Sequence, residues 1–377
     1  MQRKSIDCRE NWEQRVEESG LVFHHVNREI YWDESAFYSL TQNQVDVLED
    51  ATHELGHLCL DAVKYVIEKE RYGGLGIPFG AIPLIRWSWE NSEPSLYGRI
   101  DLAYDGVSHP KLLEYNADTP TALLEASVVQ WSWLQDRFPE ADQFNSIHER
   151  LVSGWSKLKD RFTGLLYFGY MNDFLGEDMM TATYLRETAE EAGIKTAEIL
   201  MKDIGWNSEN CFVDLDGRKI VSIFKLYPWE WLLSDEFGSH VLTEYKNMNW
   251  IEPIWRMLLS NKGILPILWE LYPGHPYLLE AYFDEPKDMN EYVRKPLQGR
   301  EGANVTVCTS KQVLETAGNY GGQRYVYQAL APIPSKGSRR PVIGSWIIDG
   351  EAAGIGIRES KNWITDHQAT FVPHIIA

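Results

Sequence analysis

Cysteine is scarce in this chain of 377 residues, and the four present, Cys8, Cys59, Cys211 and Cys308, are scattered without CxxC spacing. Neither a disulfide framework nor a zinc knuckle is expected from them. Long apolar runs are missing too. No stretch approaches the ~20 residues of a membrane helix, and the N-terminus MQRKSIDCRENWEQRVEESG is too polar for a secretory signal. The expected location is the cytoplasm, with no membrane partner. Basic residues are outnumbered, 36 Lys and Arg against 55 Asp and Glu, giving a formal charge of −19. A surface that tracks nucleic-acid phosphates needs the opposite balance, so no nucleic acid is expected, while a cationic substrate is compatible. Low-complexity segments, a repeat period and a Pro/Ser linker are absent as well. The regions are therefore expected to interlock around one cleft.

What is present is periodicity of two kinds. Residues 43 to 71 carry Leu48, Ala51, Leu55, Leu58, Cys59, Ala62 and Val66 at helical spacing, which predicts a long helix. SLYGRIDLAYDG and PKLLEYNAD predict two strands joined by a turn at Asp105-Gly106. TALLEASVVQWSWLQDRFP and FNSIHERLVSGWSKLKDRF read as helices, as does the segment around WIEPIWRMLLS. LLYFGY, TATYLRETAEEAG and KTAEILMK follow as strand, helix and strand, a βαβ unit that implies part of a parallel sheet. NCFVDLDGRKIVSIFKLY predicts a hairpin turning at Asp216-Gly217. Four further strands, YVRKPLQ, RYVYQALAPIP, PVIGSWIIDG and EAAGIGIRES, predict an antiparallel sheet in the last hundred residues. The fold class is α+β with an α/β portion.

His53-Glu54-Leu55-Gly56-His57 is a literal HExxH on a helix, the pattern by which two histidines on one face chelate zinc. The helical phase argues otherwise, because His53 and His57 fall beside Asp46, Asp50, Asp61 and Lys64 on the polar edge. The extended motif also fails, since its glycine and third histidine would stand at Leu60 and Val63. A zinc metallopeptidase is thus the weaker reading, and no zinc is expected.

A second constellation is more specific. Arg99 and Asp101 alternate on one strand and share a face, and antiparallel pairing would bring Glu114 and Asn116 to that same face. Three oxygen donors, Asp101, Glu114 and Asn116, would then converge beside a fixed cation, a set suited to magnesium with substrate phosphates completing its shell. Downstream, KPLQGREGANV carries Lys295 into a glycine-rich loop, Gly299-Arg300-Glu301-Gly302, and NKGILP offers Lys262 as a second phosphate partner.

YGRIDLAYDG, LLEYNADTPT, NKGILPILWELYPGHPYLL, KPLQGREGAN and AGIGIRE, in that order, resemble the synthetase domain of the glutathionylspermidine synthase family, whose members are ATP-grasp ligases. The resemblance runs from about Tyr31 to the C-terminus and is strongest to the short, stand-alone acid–amine ligases. It implies an ATP-grasp fold with a preceding βαβ, pre-ATP-grasp-like region, residues 1–377 as one synthetase unit, and no N-terminal amidase. It also implies ATP as co-substrate and two Mg2+ ions on Asp101, Glu114 and Asn116. Arg99 corresponds to the arginine that stabilises the transferring phosphoryl group. Arg99 and Asp101, with Lys262 and Lys295, would meet the ATP phosphates, Glu301 and Gly302 would cover the nucleotide, and Gln328, Ala329, Leu330 and Ala331 would hold the adenine. Thr119, Thr121, Arg300 and Arg358 fall where the family handles the carboxylate substrate.

The implied activity is ADP-forming ligation of a small-molecule or peptide acid to an amine, a polyamine in the family's manner being one candidate, through an acyl phosphate. One departure bears on the acid. Thr181 and Ala182 align with the acidic pair that holds the amino group of glutathione, so glutathione is not expected as the acid. The alternative of another class is a nucleotide- or peptide-binding protein that keeps the fold without turnover.

Overall fold

The expected hairpin is present, and the rest of the site is built on it. The computed structural model describes residues 1–335, 339–366 and 368–377. Strands Tyr97–Ala103 and Lys111–Asn116 pair antiparallel, and the turn between them is set by Asp105, whose Oδ1 accepts the backbone N–H groups of Val107 and Ser108, both at 2.7 Å. Gly106 takes a φ of 88°, a left-handed conformation that a glycine adopts without steric cost. Two longer strands, Arg340–Ile348 and Glu351–Ser360, extend the hairpin, and Thr370–Val372 closes the five-stranded antiparallel sheet.

Strand Tyr97–Ala103 is buried along its whole length, so both faces of the sheet are covered. One face packs on helix Gln42–Glu68, close to its expected bounds. A capping box starts this helix: Gln44 N donates to Thr41 Oγ1 at 3.3 Å, and Thr41 N donates to Gln44 Oε1 at 3.1 Å. Its apolar stripe, Leu48, Leu55 and Leu58 included, lies in the same core as Ile100, Leu102 and Ile343. Each such side chain contributes roughly 1.5–3 kcal/mol by leaving water. A second core on the opposite face collects Tyr97, Trp346, Trp155 and Phe224.

The βαβ unit is also present. Leu166–Tyr170 pairs in parallel with Thr196–Leu200 on one side and with Ser222–Leu226 on the other, and Asn249–Ile251 completes a four-stranded parallel sheet. This corrects two expectations. A turn does form at Asp214–Arg218, but only a bridge between Val213 and Lys219 continues it. Strand Ser222–Leu226 is not its return arm; it is buried throughout, as strands of a covered parallel sheet are. The segment WIEPIWRMLLS begins as the edge strand Asn249–Ile251 and becomes helical only at Ile254, after Pro253.

A second antiparallel sheet, ordered Ala281–Phe283, Tyr325–Ala329, Tyr292–Pro296, Thr306–Cys308 and Val313–Glu315, faces the hairpin across a cleft. Among the described residues no helix is long and apolar enough to cross a membrane.

Candidate active site

Side chains 97, 99 and 101 of the first hairpin strand share a face. Tyr97 fills the core and stacks on Trp346, while Arg99 and Asp101 stand nearer the cleft. Arg99 donates Nε to Asp101 Oδ1 at 2.7 Å and Nη2 to Asp101 Oδ2 at 3.1 Å, and its Nη1 donates to the Thr121 carbonyl at 2.6 Å. Such a two-pronged pairing fixes the guidinium plane. Asp101 lies opposite Gly344 on the neighbouring strand, where a Cβ would sit 2.7 Å from Arg99 Cδ. Only glycine leaves the arginine its place. Arg358, one strand further, donates Nη2 to Asp101 Oδ2 at 2.8 Å.

The register places Asn116 opposite Arg99 and Glu114 opposite Asp101. Asn116 Nδ2 lies 3.3 Å from Glu114 Oε1 and 3.5 Å from Asp101 Oδ2, so the three side chains meet at one point. Two carboxylates and a carboxamide, whose oxygen would replace Nδ2 at the cluster once an ion is bound, make a hard-donor set that fits magnesium.

The lysines reach this cluster from the other side. Lys262 Nζ is 3.1 Å from Glu114 Oε2 and donates to the Gly299 carbonyl at 2.6 Å, tying the glycine-rich loop to the hairpin. Lys295 Nζ donates to the Leu113 carbonyl at 2.9 Å and to Gln328 Oε1 at 2.8 Å. Burial drives the Lys295 ammonium down to about 8 against the opposing pull of Glu114. Burial raises the Glu114 carboxyl, yet the charges of Lys262 and Lys295 outweigh this and hold it at about 2. Arg300, in the loop itself, lies 5.4 Å over the Trp231 ring.

One cleft is lined by Arg99, Asp101, Glu114, Asn116, Lys262, Lys295, Arg300 and Arg358 together with Thr119, Thr121, Glu301, Gly302 and the stretch Gln328–Ala331. Every site residue expected from the sequence borders it. The sequence reading missed its apolar wall, Val293, Val342, Trp363 and Ile364 beside Leu330, which suits a flat ring. These residues come from several distant segments and carry no local signal. Gln328 spends its side chain inside the protein, accepting from Lys295 and donating to the Leu112 carbonyl at 2.8 Å.

A family model described as "Glutathionylspermidine synthase preATP-grasp" matches residues 3–377. The chain belongs to this family. A Haemophilus influenzae protein named "Putative acid--amine ligase" is 42% identical over 359 residues, 91% of this chain and 90% of that protein. The trypanothione synthetase of Crithidia fasciculata is 30% identical over 343 residues, and the bifunctional glutathionylspermidine synthetase/amidase of Escherichia coli 26% over 368. These alignments take in 83% and 90% of this chain but 52% and 59% of those two relatives. By the names its relatives carry, this family member is a ligase of carbon–nitrogen bonds. Among solved structures, a glutathione synthetase-like effector from Globodera pallida superposes with a TM-score of 0.56 at 10% identity, over 97% of this chain and 96% of that one. The fold is thus the mixed α/β, ATP-grasp class expected from the sequence.

Two acidic residues, Glu177 and Asp178, stand four positions before Thr181 and Ala182, the residues that align with the family's acidic pair. Thr181 and Ala182 are buried in the body of helix Glu177–Glu191. That helix starts four residues earlier than expected, with Asp173 Oδ2 accepting the Glu177 N–H at 2.9 Å. Its first turn carries Glu177, hydrogen-bonded to Thr121, and Asp178, in the field of Arg300. Burial raises the Glu177 carboxyl and lifts Asp178 to about 7 despite Arg300. Nearby Glu125, which accepts from Tyr31 Oη at 2.5 Å, is likewise pushed up by burial to about 7. Asp178 was legible in the sequence as part of a GED helix start; extending the helix back to its N-terminal acidic residues would have found it.

The HExxH residues have other partners. His53 Nε2 accepts the Ala352 N–H at 3.0 Å, and Glu54 is paired with His275 at 2.8 Å. His57 is exposed on the outer face of the helix.

Proposed function

We propose that this ligase is ADP-forming and joins a carboxylic acid, small or peptide-like, to an amine through an acyl phosphate. The observation that carries the reading is charge placement. In a chain of net charge −19, five cations, Arg99, Lys262, Lys295, Arg300 and Arg358, line one cleft around Asp101, Glu114 and Asn116. A polyphosphate is the ligand that such a concentration of positive charge suits.

In this reading the adenine lies along Ala329–Ala331 and the apolar wall, and Lys262 and Lys295 hold the phosphates. Magnesium, as two ions on Asp101, Glu114 and Asn116, would neutralise polyphosphate charge. Arg300 and Arg358 present planar forks to the acid, with Thr119 and Thr121 beside them. A carboxylate oxygen of the acid attacks the γ-phosphorus, the bond to the bridging oxygen breaks, and ADP leaves. Arg99 stabilises the charge on the phosphoryl group in flight, an effect typically worth 10²–10³-fold in rate per donor. The amine nitrogen then attacks the acyl carbon, the bond to phosphate breaks, and the nitrogen sheds a proton. Glu177 and Asp178 provide the anionic end that an ammonium needs, and an Asp178 carboxyl near 7 is matched to taking that proton. The loop from Gly299 to Gly302 shields the acyl phosphate from water.

The test is to mix the purified protein with ATP, Mg2+ and pools of acids and amines, and to measure ADP release and product mass. ADP formation stimulated jointly by one acid and one amine, with an amide product, is expected. ATP bound but never turned over with any pair would favour the binding-protein alternative and overturn the proposal.

A further inference from the structure

Away from the cleft, the structure gathers metal-ligating side chains that the ligase reading does not use. Glu13 and Glu17 stand four residues apart on helix Trp12–Glu18 and so share a face. Opposite them lie His24 and His25, where the chain enters the small hairpin His25–Val26 and Glu29–Ile30. The two imidazoles turn their Nδ1 atoms toward each other at 2.8 Å, and Glu13 Oε1 is 3.9 Å from the first and 4.0 Å from the second. One atom of each of the three residues lies within 4.8 Å of the other two.

The remaining nitrogen of His24 decides how this cluster reads. His24 Nε2 meets Glu17 Oε1 at 3.1 Å, so a neutral His24 carries its proton there and offers Nδ1 as a bare lone pair. That lone pair faces His25 Nδ1, and two bare nitrogens at this distance repel unless a proton or a cation lies between them. A carboxylate on the far nitrogen of an imidazole is also the arrangement that orients a ligating histidine and raises its basicity. The Trp12 ring, 5.4 Å from His24 and 5.9 Å from His25, walls one side of the cluster. Two imidazoles and one carboxylate suit a borderline ion such as zinc, whereas magnesium prefers an all-oxygen shell.

We propose that Glu13, His24 and His25 bind a divalent zinc-class ion, with Glu17 orienting His24 from outside the coordination shell. The ion clips the N-terminal helix to the hairpin that leads into Tyr31, whose hydroxyl donates to Glu125.

The experiment strips the full-length protein with a chelator, dialyses it against Zn2+ in excess Mg2+, which occupies oxygen-donor sites, and counts zinc per chain by elemental analysis. One equivalent is expected in the wild type and in a His53→Ala/His57→Ala variant, and none in His24→Ala/His25→Ala. Glu17→Gln is expected to weaken zinc binding by about tenfold, the lower end for an outer-shell partner. If the wild type and His24→Ala/His25→Ala hold equal zinc, the 2.8 Å contact is a shared proton and the proposal fails. It fails too if zinc leaves with His53 and His57. Should His24→Ala/His25→Ala not fold by circular dichroism, Glu17→Gln decides, and an unchanged zinc affinity there overturns the site.

Discussion

Glu114→Gln keeps the shape of the side chain and removes one charge from the centre of the cleft. Its carboxylate is 3.1 Å from Lys262 Nζ and is the main force holding up the charged form of Lys295 against burial. The Glu114 side chain is 28% exposed, so solvent weakens the interaction. A charge lost at such a partly screened site is worth roughly 2 kcal/mol, or ~1.5 pK units. Lys295, now at about 8, would then fall through neutral pH and lose its charge where the wild type keeps it. Turnover is expected to drop by about 10²–10³-fold, through loss of the proposed magnesium ligand and weaker phosphate binding. Nucleotide affinity measured without magnesium should fall steeply between pH 6.5 and 8 in the variant, and in the wild type only above about 8. Calorimetric titration with ADP across this range reads the shift, and coupled ADP release reads turnover. A folded Glu114→Gln protein with wild-type turnover and an unshifted pH profile would refute the reasoning.

Three other outcomes are expected. Asp178→Asn should raise the KM for the amine by at least about tenfold, and it should abolish the rise in amine affinity through pH 7 that follows from a carboxyl ionising near 7; an unchanged pH profile would place the ammonium elsewhere. His374 is fully buried, its Nδ1 is 2.9 Å from Gln130 Oε1, and burial depresses it to about 3. The unfolded chain therefore takes up its proton first, and stability from this group is lost as pH falls below 6.5, by about 2 kcal/mol at pH 5. Glu125 and Asp178, raised to about 7, act in the opposite direction over the same window, so the term is isolated by comparing wild type with His374→Asn in urea at pH 7.5 and 5. Parallel stability curves for the two proteins would show that the imidazole does not titrate on unfolding. Finally, His57→Ala should leave ligase turnover within about twofold, as expected for an exposed helical position away from the cleft; a large loss would reopen the HExxH reading.

Local pattern carried the sequence reading wherever the chemistry lies within one short segment. Alternation alone put Arg99 with Asp101 and Glu114 with Asn116, because side chains two apart on a strand share a face; that Glu114 stands opposite Asp101, across a bulge beside Asp101 and the connection 104–110, was set by the fold. Amphipathic spacing set the long helix, and the same phase kept His53 and His57 off the core. Five ordered blocks were enough to indicate the family and the ligase class. Where the local signal was ambiguous, the reading slipped. SIFKL is apolar enough to be either a hairpin arm or a covered parallel strand, and only its burial on both faces settles the matter. Helix Glu177–Glu191 begins ahead of the periodic stretch TATYLRETAEEAG, because its first turn is acidic and exposed in pattern, although Glu177 and Asp178 are half-buried in the fold.

The sequence by itself determined which residue types share a strand face, that the chain is an acidic folded protein without long apolar runs, and which family it resembles. Tertiary structure alone decided which distant segments meet. Lys262 reaches Glu114 across 148 positions, 262 less 114, and Arg358 reaches Asp101 across 257. Gly344 is required only because Arg99 fills the space beside it, and the apolar wall exists only once Val293, Leu330 and Trp363 are brought together. Such contacts leave no periodic trace in one sequence, since helical and strand periods encode neighbours a few residues apart, while sheet order and the closing of the cleft set every longer one.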